Sequence, residues 1–110
     1  MEYLFVYGVF RDSGKSLLKN VTFCGRANVT GSIYRVNQFY PGFIREGNTK
    51  VWGDVYLIDE SLFKDLDEFE GEEYNRKKIR TSLDIECWIY EWKGEVKEFD
   101  EIKCGDWLLR

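Results

Sequence analysis

One segment carries most clearly both the periodicity and the end signals of an α-helix, residues 59–70, and β-prone runs surround it. Asp59 can cap this helix, Glu60 suits its first turn, and Gly71 suits its end. The opening Tyr3-Leu4-Phe5-Val6-Tyr7 reads as a central strand ended by a turn at Gly8. Further strands are expected over 29–36, 51–58, 75–82 and 85–92. Tyr40-Pro41-Gly42 signals a sharp turn, and residues 13–20 can supply one or two helical turns. The tail, 102–109, returns to apolar character around Gly105-Asp106-Trp107. Many strands with one strong helix predict an α+β fold: a mixed, curled, β-barrel-like sheet with one or two flanking helices. A chain of 110 residues without repeat or linker fits one domain, 1–110.

Composition narrows the chemistry. A formal net charge of −4, with no long basic run, disfavours a nucleic-acid partner, which requires positive charge to displace phosphate counterions. No apolar run approaches a membrane span and no leader precedes the first strand, so a cytoplasmic location without membrane attachment is expected. Cys24, Cys87 and Cys104 are widely separated and odd in number, which fits reduced thiols. Histidine is absent. That removes Ser-His-Asp and Cys-His catalysis as usually built, together with His-containing zinc sites, and three cysteines alone do not make an ordinary structural one, so no metal is expected. Catalysis near neutral pH falls to carboxylates, backbone dipoles, tyrosines, lysines or a thiol.

Within the helix, steps of 100° per residue place Leu62, Phe63, Leu66 and Phe69 on one stripe. Glu70 falls between Leu66 and Phe63, on the apolar side. A carboxylate aimed at a core loses hydration, which raises its pKa and makes it a candidate proton-transfer group. The plainer reading is a frayed helix end with Glu70 in solvent. A second feature is Tyr7-Gly8-Val9-Phe10-Arg11, a strand entering a glycine turn. Such a turn can present several backbone N–H groups to an anion or carbonyl oxygen, and glycine permits close approach to the main chain.

These features, taken in order with three others, resemble the γ-glutamylcyclotransferase and AIG2-like family. Residues 3–11 look like its opening strand and YGTLR-type loop. Gly31-Ser32-Ile33-Tyr34 with Tyr40-Pro41-Gly42 resembles its G-x-L-Y…YPG segment. Val51-Trp52-Gly53-Asp54-Val55-Tyr56 is similar to its V-x-G-E-V-Y strand. Residues 66–76, from Leu66-Asp67 through Glu70-Gly71 to Tyr74-Asn75-Arg76, resemble its LDxxEG…Y-x-R signature. Trp88-Ile89-Tyr90-Glu91-Trp92 and Gly105-Asp106-Trp107 resemble its late strand and closing G-D-W. The resemblance covers nearly the whole chain. Val9 stands where threonine is frequent, Phe10 where leucine is frequent, and Asp54 replaces the usual glutamate.

The resemblance implies a barrel-like domain and a cofactor-independent cyclotransferase that releases 5-oxoproline and a free amine from a small γ-glutamyl substrate. It assigns Glu70 as general acid/base and Tyr7, Gly8, Val9, Phe10 and Tyr74 to substrate binding. Tyr40, Tyr74 and Trp92 are candidates for the distal pocket wall. The competing readings are a non-catalytic small-molecule binding protein on the same fold, and an interaction protein using Trp88, Trp92 and Trp107. At strand spacing those tryptophans read as packing, and thiol catalysis by Cys24 or Cys104 lacks a histidine to activate it. The identity of the group attached to the γ-glutamyl unit, and the oligomeric state, are left open by the sequence.

Overall fold

The computed structural model describes residues 1–8 and 21–110. Val9, Phe10 and the expected helical turns over 13–20 lie outside them. Five strands form one mixed sheet in the order β2-β3-β1-β5-β4. They are β1 (Glu2–Val6), β2 (Thr22–Tyr34), β3 (Gly42–Ile58), β4 (Tyr74–Arg80) and β5 (Glu86–Trp92), with helix α1 (Phe63–Glu70) between β3 and β4.

β1 is the central strand, as its apolar run predicts. It lies antiparallel to β3, with Val6 opposite Asp54, and parallel to β5, with Leu4 opposite Trp88. Alternation along it serves two cores. Phe5 and Tyr7 point into the concave side of the sheet, with Val29, Ile33, Phe43, Val55, Ile89 and Trp107. Leu4 and Val6 point to the other face, where Phe63 and Leu66 of α1 cover them.

The sheet curls strongly without closing into a ring, so barrel-like describes its curvature. Asn28 of edge strand β2 reaches the β4–β5 turn. It donates its N–H to the Ser82 hydroxyl (2.9 Å) and accepts from the Ser82 N–H (2.9 Å). Beyond Val6, where β1 leaves the sheet, β3 meets β5 directly, with Phe43 opposite Glu91.

Two strands start earlier than the sequence predicts. β2 begins at Thr22 and β3 at Gly42; residues 22–26 and 45–48 are largely exposed and so carry little hydrophobic alternation. Their pairing jumps from Ile44 to Thr49 opposite Ser32 and Gly31. At that jump Arg45 crosses to the Glu91 carboxylate (2.5 Å) and to the carbonyl of Lys78. The tail supplies one bridge, Glu101 to Tyr34, and a short 3-10 turn, Trp107–Leu109, capped by Asp106.

The 59–70 segment divides in two. Asp59 caps a 3-10 turn, Glu60–Leu62, by accepting from the Ser61 N–H, and α1 follows to Gly71, whose φ of 79° suits glycine. Phe69 corrects the expected apolar stripe, since it is 54% exposed. Phe63, Leu66 and Glu70 share the sheet-facing sector, and Phe69 stands roughly 90° round the helix from its centre.

Candidate active site

A cleft opens where β1 leaves the sheet. The space between its walls, open solvent included, is about 430 Å³. Its walls come from Leu4–Gly8 at the end of β1, Tyr40 and Pro41 before β3, Tyr74 of β4, Tyr90 of β5, and Glu70 at the end of α1. Glu70 is the one charged side chain among the described residues lining it.

Glu70 reaches the cleft because the capped helix packs through Phe63 and Leu66 and ends at Gly71, one residue later. The side chain is half-buried. Burial, with no cation on the described walls to offset it, pushes its pKa up from 4.5 to about 7. The carboxyl therefore exchanges its proton in the neutral range.

Three of the phenols around it are anchored. Tyr7 Oη donates to the Tyr90 carbonyl (2.6 Å) and accepts from the Phe43 N–H (3.1 Å). Tyr74 Oη donates to the Pro41 carbonyl (2.7 Å), and Tyr90 Oη donates to Asp67 Oδ1 (2.6 Å). Burial raises the pKa of all three. Glu70 adds to the rise at Tyr7 and Tyr74, and the bond to Asp67 adds to it at Tyr90. Gly8 is required by packing: a Cβ there would lie 2.9 Å from Pro41 Cδ, so the loop entry is pressed against the Tyr40-Pro41 turn.

The raised pKa of Glu70 links to stability. Between pH 4.5 and 7 the folded chain retains a proton that the unfolded chain has released, so this residue lowers stability as pH rises through that window. A shift of this size corresponds to at most about 3 kcal/mol, and partial exposure reduces it. Glu70→Gln is expected to stabilise the protein by about 1–2 kcal/mol at pH 8 and to change little below pH 4.5. Denaturant melts at the two pH values check the sign.

The structure brings Tyr7, Gly8, Glu70 and Tyr74 together in one cleft, with Tyr40 from the distal-wall expectation. Trp92 stands behind Tyr74, ring centroids 5.4 Å apart, and does not line the cleft. Trp107 is buried and Trp88 and Trp92 are half-buried, consistent with packing. No cysteine is on the cleft wall among the described residues, and burial raises the Cys87 thiol to about 11. Sequence reasoning did not assign Pro41, Tyr90 or Asp67 to the site. The signal for Tyr90 lay in the β4–β5 hairpin, whose register sets it opposite Arg76 of the Y-x-R motif.

Comparison with known proteins shows the family of the chain. The sequence profile of the family described as gamma-glutamyl cyclotransferase, AIG2-like, matches residues 4–109. The Escherichia coli gamma-glutamylcyclotransferase family protein YtfP is 32% identical over 112 residues, covering 97% of this chain and 96% of its own. Its solution structure superposes with a TM-score of 0.77 at 33% identity over 96% of each chain. An uncharacterised protein of Pyrococcus horikoshii gives a TM-score of 0.81 at 26% identity, covering 97% of this chain and 90% of its own. A mouse AIG2-like protein shares the fold, with a TM-score of 0.73 at 21% identity over 90% of this chain and 82% of its own. By profile, sequence and fold together, the chain belongs to the γ-glutamyl cyclotransferase, AIG2-like family.

Proposed function

We propose that the protein is a cofactor-independent γ-glutamyl cyclotransferase, acting on a γ-glutamyl amine or γ-glutamyl amino acid with Glu70 as general acid/base. The observation that carries this reading is the half-buried Glu70 carboxyl, at about 7, in a cleft walled by tyrosines and apolar side chains.

The reaction is a ring closure. The substrate's α-ammonium loses a proton to the Glu70 carboxylate, and the freed amine attacks the γ-carbonyl carbon. A C–N bond forms, the carbonyl becomes an oxyanion, and its collapse breaks the bond to the departing nitrogen. Glu70 returns its proton to that nitrogen, then takes the second proton from the ring nitrogen, which becomes the lactam N–H, and passes it on so that the amine departs as its ammonium form. The products are 5-oxoproline and a free amine, and the carboxylate is regenerated. No water is consumed. A pKa near the working pH suits a group that must both take and give a proton.

The rest of the cleft fits this sequence of events. The phenolic protons of Tyr7, Tyr74 and Tyr90 are committed to protein acceptors, so their oxygens can offer only lone pairs. Such a wall suits the N–H groups of an α-amine. The substrate carboxylate and the developing oxyanion need donors instead, and the family resemblance supplies them at Gly8, Val9 and Phe10 through backbone N–H groups. Holding the flexible chain in its ring-closing conformer adds to the rate, since effective molarities of about 10⁵ M or more are reached in well-oriented intramolecular reactions. The three thiols are unpaired, which supports a reducing, cytoplasmic setting.

Incubation with a panel of γ-glutamyl amines and amino acids tests the reading. Equimolar 5-oxoproline and free amine are expected from at least one member. A ligand that raises Tm and is recovered intact from every incubation would overturn it in favour of a small-molecule binding protein on the same fold.

A further inference from the structure

Glu70 is the last residue of α1. That position is a poor one for a carboxylate: the helix dipole opposes negative charge there, and terminal turns fray. A precise depth for its side chain requires something to hold the turn against the sheet. Asp67, one turn earlier, is gripped from two strands. Arg76 of β4 donates to it through Nε (2.9 Å) and Nη2 (3.2 Å), and Tyr90 Oη of β5 donates to Oδ1 (2.6 Å). Arg76 and Tyr90 face each other in the β4–β5 register, so the grip has a rigid base. The guanidinium also lies over the Phe63 ring, 3.9 Å from its centroid, and over the Trp88 ring at 4.7 Å. One arginine thus touches both the start and the last turn of the helix. The Gly71 N–H closes that turn on the Asp67 carbonyl (3.0 Å).

We propose that Asp67, Arg76 and Tyr90 are positioning residues that clamp the last turn of α1 onto β4 and β5 and thereby set how deeply the Glu70 carboxyl enters the cleft. The catalytic part of this inference rests on the cyclotransferase reading, whereas the clamp itself does not. Partial burial works against ionisation of Asp67, but the bonds from Arg76 and Tyr90 and the charge of Arg76 outweigh it and hold its carboxyl below the usual range. The Asp67 carboxyl is therefore ionised at neutral pH. The groups facing Glu70 from the packed elements are Tyr7 at the end of β1, Tyr40 before β3, Tyr74 of β4 with Glu73 beside it, and Tyr90 of β5; Asp67 lies on its own helix.

Tyr90→Phe is the cleanest probe, because it breaks one bond of the clamp without changing charge. A less polar wall would by itself raise the Glu70 pKa, so release of the turn has the opposite sign. Carbon-13 titration of the Glu70 carboxyl is expected to show its midpoint falling by about one unit or more from its parental value, toward ordinary carboxylate behaviour. The acid limb of kcat/KM moves with it. Arg76→Gln has the same effect, and Arg76→Lys recovers part of it. Loss of the Arg76 charge alone would raise the midpoint, so the sign again separates the two causes. A midpoint that stays or rises in both Tyr90→Phe and Arg76→Gln, with only Tm lowered, would overturn the clamp. A parent protein that forms no 5-oxoproline would defeat the cyclotransferase reading instead, and the titration would still decide the clamp.

Discussion

Glu70→Gln is expected to reduce kcat by about 10²–10⁴-fold while leaving the fold intact and ligand binding nearly unchanged. Glutamine has almost the same shape as glutamate, and the half-buried side chain needs no cation to hold it, so its surroundings change little. What disappears is the proton acceptor. The α-amine of the substrate is largely protonated near neutral pH and cannot attack until a base accepts its proton. Tyr7, Tyr74 and Tyr90 on the cleft wall cannot replace Glu70, since burial holds their phenols neutral. The residual rate reports positioning alone. Single-turnover kinetics beside ligand-dependent Tm measure the two effects separately, and a variant with near-parental kcat would remove Glu70 from the mechanism.

Tyr7→Phe is expected to cost about 2–4 kcal/mol of stability. Its hydroxyl sits where β1 leaves the sheet and β3 turns toward β5. There it accepts from the Phe43 N–H and donates to the Tyr90 carbonyl, joining three strands through one oxygen. The site is buried, so water cannot readily replace the lost partner, and each buried group left without one costs about 1–3 kcal/mol. The ring itself is retained by phenylalanine, including its packing 5.8 Å from the Phe43 ring. Urea denaturation measures the difference. A change below about 0.5 kcal/mol would mean that the hydroxyl contributes little to the strand junction. The same geometry refines the role of Tyr7 in binding: its phenolic proton is used by the protein, so its ring, its oxygen lone pairs and its backbone are what a substrate meets.

The parts of this structure legible in the sequence are those where burial and periodicity coincide. β1 reads as central because both of its faces are apolar, and both are buried. The 59–70 segment reads as helical because Asp59 and Gly71 mark its ends, and Glu70 reads as inward because it shares the sector of Phe63 and Leu66. Phe69 fails the same reading because the sector from Leu66 to Phe63, about 60° wide, is narrower than the stripe of about 120° drawn through it. The outer parts of the β2–β3 hairpin, 22–26 of β2 and 45–48 of β3, are largely exposed, so their pairing, which is set by the hairpin register, leaves little hydrophobic alternation. The Asp67–Arg76–Tyr90 cluster depends on tertiary register between α1, β4 and β5, which spacing along the chain does not encode. Gly8 illustrates a third case. Its presence suggests close approach to the backbone, and the group that approaches is the ring of Pro41.

The pH dependence of kcat/KM for 5-oxoproline formation tests the central claim most directly, because it reads the carboxyl in the working enzyme. If Glu70 is the base, activity rises with unit slope on the acid side and levels off above a limb near its pKa of about 7. The limb is absent from the residual activity of Glu70→Gln. A profile flat from pH 5 to 8, or an acid limb that persists in that variant, would contradict the account.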